Sequence, residues 1–145
     1  MDSLDDRLLA LLREDGRASV TTLARRLKEP RSTVQERLRR LQTSGVLLGF
    51  RPVLDPAKVG KPSLAYILAA FTPGSGGRHH AILEELLKVE GVERIDMIAG
   101  EWDIVLRVRG ASFEAIGQLV VERLRTLPAI ARTLTLPSFH GADAR

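Results

Sequence analysis

The chain of 145 residues contains no cysteine, which excludes disulfides, thiolate catalysis and cysteine–metal centres together. Histidine is nearly absent. His79 and His80 are adjacent and His140 is far along the chain, so no third ligand lies at metal spacing, and all three read as surface residues. No apolar run approaches the roughly 18 residues of a membrane-spanning helix. The opening MDSLDDR is acidic and lacks the basic start and apolar core of a secretory signal. These absences lead to the expectation of a cytoplasmic chain with no membrane partner, metal or cofactor. Its 44% hydrophobic and 28% charged residues fit an ordinary globular protein of one domain or two small ones.

Catalytic patterns are missing as well. Gly74, Gly76 and Gly77 begin a GxGxxG-like loop, but His79 occupies the last glycine position and no P-loop lysine follows. No GxSxG elbow occurs. Asp96, Glu101 and Asp103 flank a hairpin rather than form an acid–base pair. The chain does not read as an enzyme.

What is present is a concentration of positive charge. Residues 1–60 carry +4 and residues 61–145 are neutral, while the segment 16–54 alone holds nine Lys/Arg against two Glu. Such clustering is the electrostatic footprint of a nucleic-acid contact surface.

The first part of the chain reads as three short helices. Ser3 is the expected cap of a helix with Leu4, Leu8, Leu11 and Leu12 at helical spacing, closed by Gly16. Ser19 precedes Val20, Leu23, Ala24 and Leu27, a stripe of about two turns. Pro30 suits the first position of a third helix, in which Val34, Leu38 and Leu41 form the buried stripe. A short strand, 46–54, is expected to follow. Three short helices with a tight turn between the last two are the layout of a helix-turn-helix.

On a helical wheel with Val34 at zero, Gln35 falls near 100°, Arg39 near 140°, Ser32 near 160° and Glu36 near 200°, at about 100° per residue. All four point away from the buried stripe, and Arg31 reaches across its edge. Arg and Gln suit bidentate contacts with guanine and adenine. Ser32 and Thr33 suit phosphate contact at the helix start. Arg25, Arg26 and Arg40 complete the basic set assigned to DNA, with double-stranded DNA as the expected partner.

Three prolines and a glycine in PVLDPAKVGKP mark residues 51–62 as a hinge after a DNA-binding domain at 1–50. Residues 63–145 then read as a second domain. SLAYILAAF, 63–71, is a near-continuous apolar run, expected to be a strand buried on both faces. A helix over 78–89, two strands at 92–100 and 103–110 with a tight turn at Glu101–Trp102, a helix over 112–127 and a strand at 130–139 complete a βαββαβ, ferredoxin-like order. The sequence GEWD, 100–103, holds the only tryptophan. It reads either as a hairpin whose Trp packs at a subunit contact, or as a small-ligand pocket in which Asp103 or backbone groups bind an ammonium or carboxylate.

Taken together, LDDRLLALLREDGR (4–17), LARRL (23–27), STVQERLRRLQTSGVL (32–47), GFRPVLDPAKVG (49–60), GEWD (100–103) and TLTL (133–136) resemble the Lrp/AsnC, or feast/famine, transcription regulators over roughly residues 3–137. The resemblance implies an α+β chain with a winged-type helix-turn-helix domain before a ferredoxin-like effector domain. It also implies a homodimer, often assembled further to an octamer. A small effector, frequently an amino acid, is then expected between subunits, lined by Gly100, Glu101, Trp102 and Asp103, with Thr133 and Thr135 as further candidates. The sequence departs from the family at Lys28–Glu29–Pro30, where Gly-Leu-Ser is usual, and at Trp102, where tyrosine is usual. Two other readings stay open. One is an architectural DNA-binding protein without an effector; the more remote one is an enzyme resembling the tetrapyrrole decarboxylases that share this two-domain layout.

Overall fold

In the computed structural model the described residues are 2–75 and 77–141. They form two compact units, one up to Val53 and one from Leu54. The first contains α1 (Ser3–Glu14), α2 (Val20–Leu27) and α3 (Arg31–Thr43). Leu8, Leu23, Leu27, Val34 and Leu41 are buried where the three helices meet.

Two helix ends differ from expectation. The cap of α1 is Asp2, not Ser3: its carboxylate accepts from the Leu4 and Asp5 N–H groups, and Asp5 accepts from the Asp2 N–H in return. A reciprocal box satisfies two otherwise unpaired donors, which Ser3 one position later cannot do. Pro30 likewise sits one residue outside α3, as its cap rather than its first residue.

Between α2 and α3, Lys28 adopts the left-handed conformation, φ 59° and ψ 41°. It is the one non-glycine residue with positive φ among the described residues. Its N–H donates to Arg25 C=O at 3.3 Å, and the Glu29 N–H donates to Ala24 C=O at 3.0 Å. This 6→1 and 5→2 pairing is the Schellman termination, so the tight turn survives without its usual glycine.

One carboxylate ties the helices together. Asp5 is 1% exposed; its Oδ1 accepts from Arg37 Nη1 at 3.1 Å and its Oδ2 from Arg40 Nη2 at 2.7 Å. Arg37 also pairs with Asp2. Burial pushes the Asp5 carboxyl up, but the hydrogen bonds from Asp2 N–H and Arg37 and the charge of Arg40 outweigh it, and the net direction is down. The hydrogen bond from Arg37, then that of the Asp5 backbone, holds the Asp2 carboxyl at about 2, below the ordinary 3.8.

No strand forms over 46–54. Val46, Leu48, Phe50, Val53 and Leu54 are exposed there. A strand requires a hydrogen-bonded neighbour, and this chain supplies none to the segment.

The second unit is a four-stranded antiparallel sheet in the order β2-β3-β1-β4, built from β1 (Ser63–Phe71), β2 (Val92–Met97), β3 (Ile104–Gly110) and β4 (Ile130–Ser138). Helices α4 (His79–Leu87) and α5 (Phe113–Leu119) follow β1 and β3, giving the expected βαββαβ order. Ala65, Ile67 and Ala69 of β1 lie opposite Val108, Leu106 and Ile104 of β3. These six side chains and Ile82, Leu86, Ile116 and Leu124 form the core.

Three expectations are corrected here. First, β1 is buried on one face only; Tyr66, on the other, is 40% exposed, because helices cover just one side of an antiparallel sheet. Second, the β2–β3 connection is the six-residue loop Ile98–Asp103 rather than a tight turn, with the Ile98 N–H donating to Asp103 C=O at 2.8 Å. Third, α5 widens into a π-helical turn, Val120–Leu124, whose closing bond runs from Arg125 N–H to Val120 C=O at 2.9 Å. Nothing in the sequence explains that widening.

Two outcomes follow for stability. A carboxylate with a depressed folded-state value contributes stability that is present above its ordinary value and is lost as pH falls through the folded one. Helical stability of the first unit therefore declines as pH falls from about 4 towards about 2, as the Asp2 value requires. Asp2→Asn keeps the cap but removes the charge, so denaturant midpoints followed by circular dichroism fall less over this window than in the wild type. Lys28→Gly removes the left-handed strain and stabilises the unit by about 1 kcal/mol in the same assay.

Candidate functional site

The outward face of α3 is built by subtraction. Val34 and Leu41 dock on the other helices, and Arg37 and Arg40 are drawn to Asp5. What remains exposed is Arg31, Ser32, Gln35, Glu36 and Arg39, while Thr33 is half-buried. Positions 32, 35, 36 and 39 are one helical stripe. Pro30 offers no side-chain hydrogen bond to the start of α3, so the first-turn N–H groups are open to an anion.

The assigned cations divide into two groups. All five arginines are exposed, and they differ in their partners. Arg26 donates to Glu14 of α1 at 2.9 Å, and Arg40 donates to Asp5, so both guanidinium groups are directed at α1. Arg39 is held on its own helix, with Nε donating to Glu36 Oε2 at 3.0 Å and Nη2 to Oε1 at 2.6 Å. The hydrogen bond from Arg39 lowers the Glu36 carboxyl, and the same bond raises the Arg39 guanidinium.

On the sheet unit, the Gly100–Asp103 loop is anchored at Asp103. Asp103 accepts from the Phe71 N–H through Oδ2 at 2.7 Å, and its own N–H donates to Ala69 C=O at 3.1 Å. Gly100 has φ +130° with open space around its missing Cβ, a conformation that other residues rarely adopt. Arg132 of β4 donates to Glu101 Oε1 and to Glu101 C=O, each at 3.1 Å. Its guanidinium lies 4.3 Å from the Trp102 ring centroid, a cation–π distance.

The structure thus brings Glu101, Trp102 and Arg132 together. Arg132 escapes the sequence because its partners lie about thirty residues away and nothing local marks it. Thr133 and Thr135 stand opposite Ala69 and Ile67 in the β1–β4 register, on the helix-covered face. They alternate with Arg132 and Leu134 and so point the other way.

The uncovered face carries Leu64, Tyr66, Leu68, Leu134 and Leu136, with Arg107 and Arg109 beside them. The two Nε atoms approach Glu93 at 3.2 and 3.1 Å. His79 is half-buried and stacked on Phe71 with centroids 4.5 Å apart, a packing role rather than the free surface position expected for it. Among the described residues, no three of His, Asp and Glu are grouped to hold a metal ion, and no helix is long and apolar enough to cross a membrane.

Comparison with known proteins bears on both units. Residues 1–42 match the family model of the AsnC-type helix-turn-helix domain, and residues 64–141 match that of the Lrp/AsnC ligand-binding domain. An uncharacterised HTH-type transcriptional regulator of Pyrococcus horikoshii is 34% identical over 139 residues, which span 96% of this chain and 93% of that one. The proline dehydrogenase transcriptional activator of Rhizobium radiobacter is 36% identical over 138 residues, 93% of this chain and 86% of its own. The solved structure of the Mycobacterium tuberculosis leucine response regulatory protein superposes with a TM-score of 0.83 at 32% identity, covering 99% of this chain and 96% of that one. With both domains matched in order across nearly its full length, the chain belongs to the Lrp/AsnC family of DNA-binding transcriptional regulators.

Proposed function

We propose that a homodimer of this chain, open to further assembly as an octamer, binds a specific operator through α3, and that an amino-acid effector at the Glu101–Trp102–Arg132 cluster modulates binding. The observation that carries the DNA reading is the exposed stripe Ser32, Gln35, Glu36 and Arg39, with Arg31 beside it. A recognition helix needs one face docked and the other presenting donors and acceptors to base edges. Arg25, Ser32 and Thr33 serve phosphates in this reading. Arg26 and Arg40 act less directly, since their guanidinium groups are engaged with Glu14 and Asp5. A DNA-bound regulator works in the cytoplasm, where a chromosome is accessible to it. The relatives are transcriptional regulators, and we assign this chain the same regulatory role rather than a catalytic one.

The dimer is supported by apolar surface that one chain leaves uncovered. Tyr66, Leu134 and Leu136 stand exposed on one sheet face, and the extended segment 46–54 exposes five apolar residues. Both are faces that a second copy can bury. The effector is supported by the chemistry of the cluster. An arginine stacked on an indole and held by one carboxylate suits exchange of that carboxylate for the carboxylate of an amino acid. The Mycobacterium tuberculosis relative is named as a leucine response protein, which fits that ligand class.

Two measurements test these statements. Selection from a random duplex library yields paired half-sites about 34 Å apart if a dimer reads successive major grooves. On the selected site Gln35→Ala costs about 1–3 kcal/mol and relaxes preference at one base pair. Equal affinity for selected and scrambled duplexes, with a steep salt dependence, favours the architectural reading instead. Separately, Trp102 fluorescence changes saturably on addition of one or a few amino acids, and Arg132→Ala abolishes the change while leaving circular dichroism intact. Silence across all amino acids in the wild type rejects the effector class.

A further inference from the structure

The pair formed by Glu36 and Arg39 is unusual for its place. Both side chains are well exposed, 62% and 65%, and exposed ion pairs add little to stability. Its consequence is geometric. The carboxylate takes Nε–H and one Nη2–H of the guanidinium in a two-point contact, which fixes the plane of an otherwise flexible side chain. Three donors of the five remain, two on Nη1 and one on Nη2. On the outer edge, one N–H from each nitrogen projects in parallel from the stripe that carries Ser32 and Gln35. Two parallel donors are the pattern that guanine O6 and N7 accept.

The carboxylate also sets a penalty. Facing DNA, Glu36 is repelled by phosphates wherever the protein lands. Compensation exists only where Arg39 meets a guanine and the unused lone pairs of Glu36 meet the exocyclic amino group of a neighbouring cytosine or adenine. Elsewhere the repulsion is uncompensated, and the Nε edge of Arg39 is not free to grip a phosphate.

We propose that Glu36 is a specificity-determining residue that holds Arg39 as a preassembled guanine reader and weakens binding to every other sequence. This rests on the assignment of α3 as the DNA-reading helix. It predicts that removing an acidic residue from the interface tightens binding to random DNA while blunting the choice of base, the opposite of losing a favourable contact.

The test uses the full-length protein and a randomised duplex library. Wild type is expected to select a guanine in each half-site whose replacement weakens binding about tenfold or more. Arg39→Ala loses that preference and no other. In Glu36→Gln the replacement penalty shrinks to within about threefold, and affinity for random duplex rises about threefold or more. Arg39→Lys keeps the charge and the salt dependence but lacks the fork, so the guanine preference falls here too. Glu36→Ala, which an exposed helix position tolerates, moves both readouts in the same direction as Glu36→Gln and guards against a folding artefact. Full guanine preference with unchanged random-duplex affinity in both Glu36 variants overturns the proposal and reduces the pair to a surface salt bridge. If wild type selects no sequence at all, the assignment of α3 fails first and the proposal falls with it.

Discussion

The buried carboxylate of Asp5 sets the orientation of α3. It closes the start of α1, accepts from Arg37 and Arg40, and is the one buried charged side chain among the described residues. A buried ion pair often contributes little net stability, because desolvating the charges offsets their attraction. Its effect is on arrangement. Two arginines three apart on α3 meet one carboxylate on α1, so the helix cannot rotate or slide by a residue without leaving a buried charge unpaired. With Arg37 and Arg40 tied to α1, the stripe of Ser32, Gln35, Glu36 and Arg39 is held outward. The set of side chains that α3 leaves to solvent thus depends on an interaction with α1.

The sheet unit is governed by a different constraint. Leu64, Tyr66 and Leu68 alternate with Ala65, Ile67 and Ala69, so β1 is apolar on both sides although α4 and α5 cover only one. In an antiparallel sheet the uncovered side normally carries polar residues. Here the polar contribution is concentrated in Arg107 and Arg109, whose Nε atoms approach Glu93 at 3.2 and 3.1 Å, with the Arg107 Nε left without a hydrogen-bond partner. A face of leucines, tyrosine and an ion cluster of two arginines on one glutamate is dry enough to be covered and polar enough to fix the register of what covers it.

The two periodicities made most of the fold legible. Leu4, Leu8 and Leu11, then Leu23 and Leu27, then Val34, Leu38 and Leu41 gave the helices because burial stripes are local. The run 63–71 gave β1 for the same reason, but its lack of alternation misled on burial, since only one face of the strand is covered. Misreadings arose where the deciding partner is distant in sequence. Segment 46–54 has the residues of a strand but no neighbour to pair with among the described residues, and the Asp5 partner of Arg40 lies thirty-five residues earlier. Arg132 was invisible for the same reason. At Ser3 the error was of one position: a serine is a good cap, but only Asp2 stands three residues before the Asp5 carboxylate that completes the reciprocal box.

Under the proposed function, the distribution of buried residues constrains how an effector at the loop could reach α3. The two cores share no side chain, and residues 48–62 contribute no buried residue to either. Phe50 lies against Gly16, but with no buried residue in the stretch few packed side chains are there to carry a signal along it; the route that the proposed function favours is a change in what the uncovered apolar surfaces bury. The Glu101–Trp102–Arg132 cluster is well placed for that, because Arg132 and Leu134 alternate with Thr133 so that they share the uncovered face of β4 with Leu136. In the proposed dimer, a ligand that exchanged with Glu101 would alter the edge of the surface that a second copy covers. Coupling to DNA then follows from the difference in effector affinity between assemblies, and that difference bounds how far binding can shift.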